Sequence, residues 1–189
     1  MTIQHNAITG TDLHEPKGVA AAAANKVYVS NGSASGAWST ISTSSLALPK
    51  GRFYFYDLAS PYTMTYGAAT QKLAPTTVAS GLGSLVTEAT SARLTYTGTP
   101  TATIALNFDS TIYQSSGSTK NVTLAVHKNG SVITGSEIYL STTTAEIYNV
   151  SGSCLVSAAT NDYFEIYAFN RSGSGNLLFN KLALTLTAT

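Results

Sequence analysis

Charge is what this sequence has least of. Only 10% of its 189 residues are Asp, Glu, Lys or Arg, against about 25% in an ordinary soluble domain. The formal net charge is +1, with no block of like charges. That argues against a nucleic-acid partner, because neutralising phosphates takes a clustered basic face. Cysteine is down to one, Cys154, so an intramolecular disulfide is excluded. Within Cys154-Leu155-Val156 it reads as a small buried hydrophobe. No apolar run approaches the ~20 residues of a membrane-spanning helix. The opening Met1-Thr2-Ile3-Gln4-His5-Asn6 lacks the apolar stretch of a signal peptide. The expectation is a soluble, disulfide-free protein made inside a cell.

Hydrophobic residues are plentiful at 43%, enough for a real core. With so few charges, the polar surface must come from Thr, Ser, Asn and Gly. Thr fits a pleated surface, and Ser, Asn and Gly make turns, so the composition favours strands.

The chain divides into an N-terminal arm and connector, residues 1–45, and a main domain, residues 46–189. The arm is poor in core residues. Pro16 holds Glu15 extended, and Val19 is followed by five alanines with high helix propensity but too short a run to be helical alone in water. Asn25 can close such a run in the left-handed conformation. The arm therefore reads as an extended segment with one or two helical turns that need a partner surface. In the connector, Val27-Tyr28-Val29 is a short strand, Asn31-Gly32 opens a glycine-serine loop, and Trp38 follows. Trp38 reads as the plug of a small satellite core, with a surface anchor as the alternative.

In the main domain Phe53 and Phe55 alternate with Tyr54 and Tyr56. Such a strand has two aromatic faces and is expected to be buried on both, within a sandwich or against another subunit. Leu94 and Tyr96, then Ile104, Leu106 and Phe108, then Val122, Leu124 and Val126 alternate in turn. Asn129-Gly130 is a strong two-residue hairpin signal, with Ile138 and Leu140 on the return. Asn161-Asp162 marks a turn into the long strand Tyr163 to Phe169, and Leu182, Leu184 and Leu186 close the chain at period two. Short strands at regular spacing indicate an all-β sandwich or barrel.

Three segments carry a resemblance: the hairpin Val122 to Gly130, the turn and strand Asn161 to Ala168, and the closing Leu182-Ala183-Leu184-Thr185-Leu186. Their order resembles the TNF/C1q-like jelly roll of many phage fibre and decoration proteins, over roughly residues 91–189. The stretch Ile8 to Val19, continuing through Val27-Tyr28-Val29 and Trp38, resembles a module of phage head-decoration and head-fibre proteins. The resemblance implies a jelly-roll β-sandwich after an N-terminal arm, a virion role, and a homotrimer whose aromatic flanks pack about a three-fold axis. On that reading the protein is made in the host cytoplasm and ends on the outer capsid surface as a cement or head-fibre protein. Its partners are itself and the major capsid protein, with a host-surface glycan as a further one. The capsid-binding residues are expected to be Ile8, Leu13, His14, Glu15, Pro16, Lys17 and Val19. Those of the trimer interface are expected to be Phe53, Tyr54, Phe55, Tyr56, Tyr163, Tyr167 and Phe169. A tail-associated receptor-binding tip is the alternative, with Tyr62, Tyr66 and Tyr113 as exposed aromatics, although no shaft or heptad stretch precedes the domain.

Chemistry finds little support. His5, His14 and His127 show no carboxylate spacing that suits catalytic zinc, and read as polar surface or hairpin-flank residues. His14 and Glu15 point to opposite sides of an extended chain. The nine acids are scattered, whereas glycan cleavage needs two set across a cleft. Serines occur without a nucleophile elbow. Asp109 to Ser116 and Asn161-Asp162 offer too few clustered oxygens for calcium. No enzyme activity, cofactor or metal is expected.

Overall fold

The structure is a computed structural model and describes residues 26–30, 36–40, 47–65, 69–76, 78–81, 83–89, 91–114, 116–172 and 175–189. The chain forms two compact units, Met1–Ala47 and Leu48–Thr189. The expected helical turns at the alanine run lie outside the described residues.

In the first unit β1 (Lys26–Ser30) and β2 (Gly36–Thr40) pair antiparallel, with Tyr28 opposite Trp38. Their rings meet edge to face at 5.4 Å. Trp38 is thus a strand residue on a cross-strand aromatic pair, a contact that stabilises an otherwise marginal two-stranded ribbon.

The second unit is a jelly roll. One sheet has the order β13 (Ile147–Ala158), β9 (Ala102–Tyr113), β15 (Leu177–Ala188), β3 (Lys50–Tyr56), β6 (Ala79–Ser80), with β4 (Tyr62–Met64) on β15. The other has the order β11 (Ser131–Val132), β10 (Lys120–Lys128), β14 (Tyr163–Asn170), β8 (Arg93–Tyr96), β7 (Val86–Ala89). There β12 (Ile138–Thr142) also pairs with β10, and β5 (Gln71–Lys72) with β14. All strand pairs named here are antiparallel. From β8 onward the chain crosses between the sheets at β9, β10, β13, β14 and β15. This alternation distinguishes a jelly roll from a meander, in which neighbours in sequence stay in one sheet.

The period-two pattern decides what lies between the sheets. Leu106, Phe108, Leu182 and Leu184 from the first sheet and Leu124, Val126, Phe164 and Ile166 from the second are all fully buried in one core. β3 belongs to that pattern: within the single chain one of its faces is buried and the other is open. Phe53 and Phe55 point inward at 0% and 5% exposure, while Tyr54 and Tyr56 point outward at 40% and 64%. Phe53 and Phe55 are therefore core residues of the single chain rather than part of its outer surface.

The Asn129-Gly130 hairpin forms as its chemistry requires. Both residues have positive φ, 51° and 81°, as a type I′ turn demands, and Lys128 faces Ser131 across it. The return is not continuous. After Val132 one more backbone bond follows, Ile133 N–H to Val126 C=O at 2.9 Å, and Ser136 then caps the gap, its hydroxyl accepting from Val126 N–H at 3.0 Å and donating to Val126 C=O at 3.1 Å. Ile138 then resumes pairing opposite Leu124.

Candidate functional site

On β14, Phe164, Ile166 and Ala168 face the core, so Tyr163, Glu165, Tyr167 and Phe169 line the outer face of the second sheet. Glu165 is buried there, its side chain 1% exposed, with Lys72 Nζ at 2.5 Å and Arg93 Nε at 2.7 Å from the same oxygen. Burial pushes its carboxyl up, but the hydrogen bonds and charges of Lys72 and Arg93 outweigh this and hold it below the usual value. The Arg93 guanidinium lies over the Tyr163 ring at 3.9 Å. His127, opposite Glu165 in the register, stacks on Tyr167 at 3.9 Å and donates from Nδ1 to Gly130 C=O at 3.0 Å. Burial, then the Glu165 charge, raises the Tyr167 phenol. These groups saturate one another and form a rigid floor.

Beside this floor the face opens. Thr123, His127, Glu137, Tyr139, Phe169 and Arg171 are among the residues lining a hollow of about 250 Å³. A second hollow of about 350 Å³ shares Tyr139 and Arg171 with it. Arg171 Nε donates to Thr123 Oγ1 at 2.8 Å. Its guanidinium carbon sits 5.2 Å from the Tyr139 ring centre and 5.5 Å from that of Phe169. Tyr139 is 66% exposed. Glu137 accepts from Gly135 N–H at 2.7 Å. Neither Arg171 nor Glu137 makes an ion pair among the described residues, with each other or with any other group.

The first sheet presents a different surface. Tyr54, Ala183, Asp109 and Ser151 align across its outer face, as do Arg52, Thr185, Asn107 and Ser153. Toward β9 and β13 the side chains of this face are mostly short and polar, with Asp109 facing Lys181 at 4.0 Å. The face ends at β13, twelve residues long, which pairs with β9 on one side and with no other strand among the described residues. β13 contains no charge and no proline. Leu155 and Ile147 stand on its outward side at 66% and 62% exposure. Cys154 faces the core side, half-buried, and burial pushes its thiol up. That is the inert hydrophobe expected of it rather than a nucleophile.

The expected site residues are not brought into one patch. Tyr54 and Tyr56 lie on the outer face of the first sheet, Tyr163, Tyr167 and Phe169 on the outer face of the second, and Phe53 and Phe55 in the core between. Ile8, Leu13, His14, Glu15, Pro16, Lys17 and Val19 lie outside the described residues, as do His5 and Tyr66. Tyr62 is partly buried against Phe179, 6.2 Å between ring centres. Tyr113 is half-exposed at the end of β9. Asp162 is a turn residue, binding Ala159 N–H at 2.7 Å and Lys128 Nζ at 2.7 Å. No group of three His, Cys, Asp or Glu among the described residues is placed to hold a metal ion. Arg171, Tyr139 and Glu137 were missed as a site. An arginine in a loop and an aromatic in a neighbouring strand carry no local signal of their own.

No family model matches the sequence, and no curated protein matches it. Among solved structures it is similar to the Eiger TNF of S. frugiperda, 11% identical over 75% of this chain and 92% of that one, TM-score 0.48. The vertex protein P5 of PRD1 is 12% identical over 75% and 96%, TM-score 0.49. The globular domain of zebrafish complement 1qA is 13% identical over 75% and 96%, TM-score 0.45. These likenesses are distant, and the jelly-roll assignment stands on the strand order and register described above.

Proposed function

We propose that this chain is a structural, non-catalytic virion component: a homotrimeric capsid decoration protein, of the cement or head-fibre kind, on the outer surface of a phage head. In this reading residues 1–45 hold the major capsid protein, through Ile8, Leu13, His14, Glu15, Pro16, Lys17 and Val19, and the jelly roll faces outward. The observation that carries self-association is β13. A long edge strand with no charge or proline, and with no second strand paired to it among the described residues, is a template for pairing that natural proteins normally blunt. Here it borders the outer face of the first sheet, and closed symmetry covers such an edge on every copy without open-ended growth. Tyr54 and Tyr56 stand on that same outer face. The structural role is supported by the acids: Glu165 and Asp162 are committed to internal ion pairs and a turn. The capsid role rests on the sequence resemblance of residues 8–38. The experiment is to mix full-length protein with heads lacking it and image the particles. Regular density on the head supports the reading, and density confined to tails overturns it. A tail-associated receptor-binding tip is the second reading, favoured by the aromatic hollow at Tyr139.

A further inference from the structure

We infer that the hollows at Arg171 and Tyr139 form a binding site for acidic saccharides, taking a carboxylated sugar ring.

The argument starts from charge. In a chain this poor in ions, most charged groups on the outer face of the second sheet are used up in the Glu165 cluster. Arg171 and Glu137 are the exceptions. They line one hollow, yet neither has an ion-pair partner among the described residues. Both charges are therefore open to a ligand that carries an anionic group and a hydrogen-bond donor. Arg171 is also not a free-swinging surface side chain. Its Nε is held by Thr123 and its guanidinium lies beside two rings, so the entropy cost of engaging a ligand is already partly met. A held guanidinium presents a fork that matches a carboxylate.

The remaining wall fits the rest of a sugar. Tyr139 offers an exposed amphipathic ring, apolar on its face and polar at its tip. The Glu137 carboxylate is acceptor-only and suits a hydroxyl donor. The Nδ1 of His127 is engaged by Gly130, which leaves Nε2 as the ring's other polar atom. The hollow of about 250 Å³ is smaller than the ~300–1,000 Å³ of drug-sized pockets. It is sized for one ring, and the adjoining hollow lets a chain continue past Tyr139 and Arg171. A simple anion would leave Tyr139 and Glu137 without a role, and a neutral sugar would leave Arg171 without one. This inference does not depend on attachment to a capsid.

The test is calorimetric or NMR titration of full-length protein with a glucuronate-containing tetrasaccharide, against maltotetraose and sodium acetate at matched ionic strength. The acidic probe is expected to bind saturably, with maltotetraose and acetate each weaker by about tenfold or more, the loss of one charge-assisted contact. Arg171→Gln should weaken the acidic probe by about tenfold. Arg171→Lys should lie between, since it keeps charge without the fork. Tyr139→Ala, at an exposed position, should weaken it severalfold with the melting temperature held. Equal binding of maltotetraose, equal binding of acetate, no saturable binding, or indifference to both Arg171→Gln and Tyr139→Ala would each overturn the assignment.

Discussion

The side-chain amide of Asn129 donates to Asp162 Oδ1 at 2.6 Å, closing a contact between residues 33 apart in sequence. Asn129 Oδ1 also accepts from Tyr163 N–H, and its own N–H donates to Tyr163 C=O, both at 2.9 Å. The tight turn after β10 thereby grips the turn before β14. Lys128 adds an ion pair to Asp162 at 2.7 Å. The two segments whose resemblance was noted separately, Lys-Asn-Gly and Asn-Asp-Tyr, thus form one structural device. It sets the start of the β10–β14 ladder and hence which residues face the core.

Asn129→Gly keeps the positive φ and deletes only the side-chain bonds. It should cost about 1–2 kcal/mol, two modest hydrogen bonds. Asn129→Ala should cost more, because alanine resists that φ. A double-mutant cycle of Asn129→Gly with Asp162→Ala, read by urea unfolding, should show a coupling of about 0.5–2 kcal/mol. Additive effects would mean that the contact does not organise the two turns.

Glu165 makes stability depend on pH in a defined direction. Its folded carboxyl titrates below the ordinary 4.5, so the unfolded chain takes up the proton first as pH falls. The stabilisation is complete above the unfolded value and is lost as pH drops through the folded one. Asp162 acts in the same sense: burial pushes its carboxyl up, but Lys128, Ala159 N–H and Asn129 bring it down. Melting temperature should therefore fall between about pH 5 and pH 3. In Glu165→Gln the protein should be less stable by about 2 kcal/mol at pH 7, below the ~3–5 of a fully buried pair because both cations reach solvent. The fall toward pH 3 should be shallower in that variant. Parallel curves for the two proteins would refute the assignment.

Some of this was legible in the sequence because it rests on local rules. Asn129-Gly130 reads as a turn because only a few residue pairs tolerate positive φ twice. Leu182, Leu184 and Leu186 read as a strand because each alternate residue is large and apolar. Phe53 to Tyr56 left open which row faces the core: phenylalanine and tyrosine are both aromatic, and only the hydroxyl distinguishes the row that points outward from the single chain. β13 was invisible as a long strand. Its outward residues mix Ser and Asn with Ile147 and Leu155, and its inward ones include Gly152 and Cys154, so little hydrophobic contrast marks the alternation. The Arg171–Tyr139 hollow is made by register between strands, which no local pattern encodes.

Gly152 is fixed by close approach rather than by backbone freedom. A Cβ there would stand 2.5 Å from Phe108 Cε1 and 2.7 Å from Ile138 Cδ1, and Phe108 is fully buried beneath it. Gly152→Ala should therefore destabilise by about 1–3 kcal/mol through overpacking. Phe108→Leu alone should also destabilise, yet the double variant should be better than the sum, because the smaller side chain makes room for the methyl. Denaturant midpoints of the four proteins decide it, and strict additivity would show that the strand shifts instead.

The open edge gives the sharpest prediction about assembly. Leu155 and Ile147 already face water in the single chain, so replacing each by lysine removes no core contact and should change the stability of the folded chain by no more than about 0.5 kcal/mol. In an oligomer built on β13 and its adjoining outer face, however, each lysine would be forced against a neighbour with no acid on that strand to receive it. Full-length protein should sediment as a closed oligomer, three copies in the proposed reading, and Leu155→Lys with Ile147→Lys should sediment as a monomer at the same micromolar concentration with its circular dichroism intact. Tyr54→Ser and Tyr56→Ser, on the same outer face, should weaken association in the same direction, whereas Tyr163→Ser, on the opposite face, should leave it unchanged. An oligomer that survives both lysines but dissolves on Tyr163→Ser would move the interface to the second sheet and place the Arg171 hollow inside the assembly rather than on its surface.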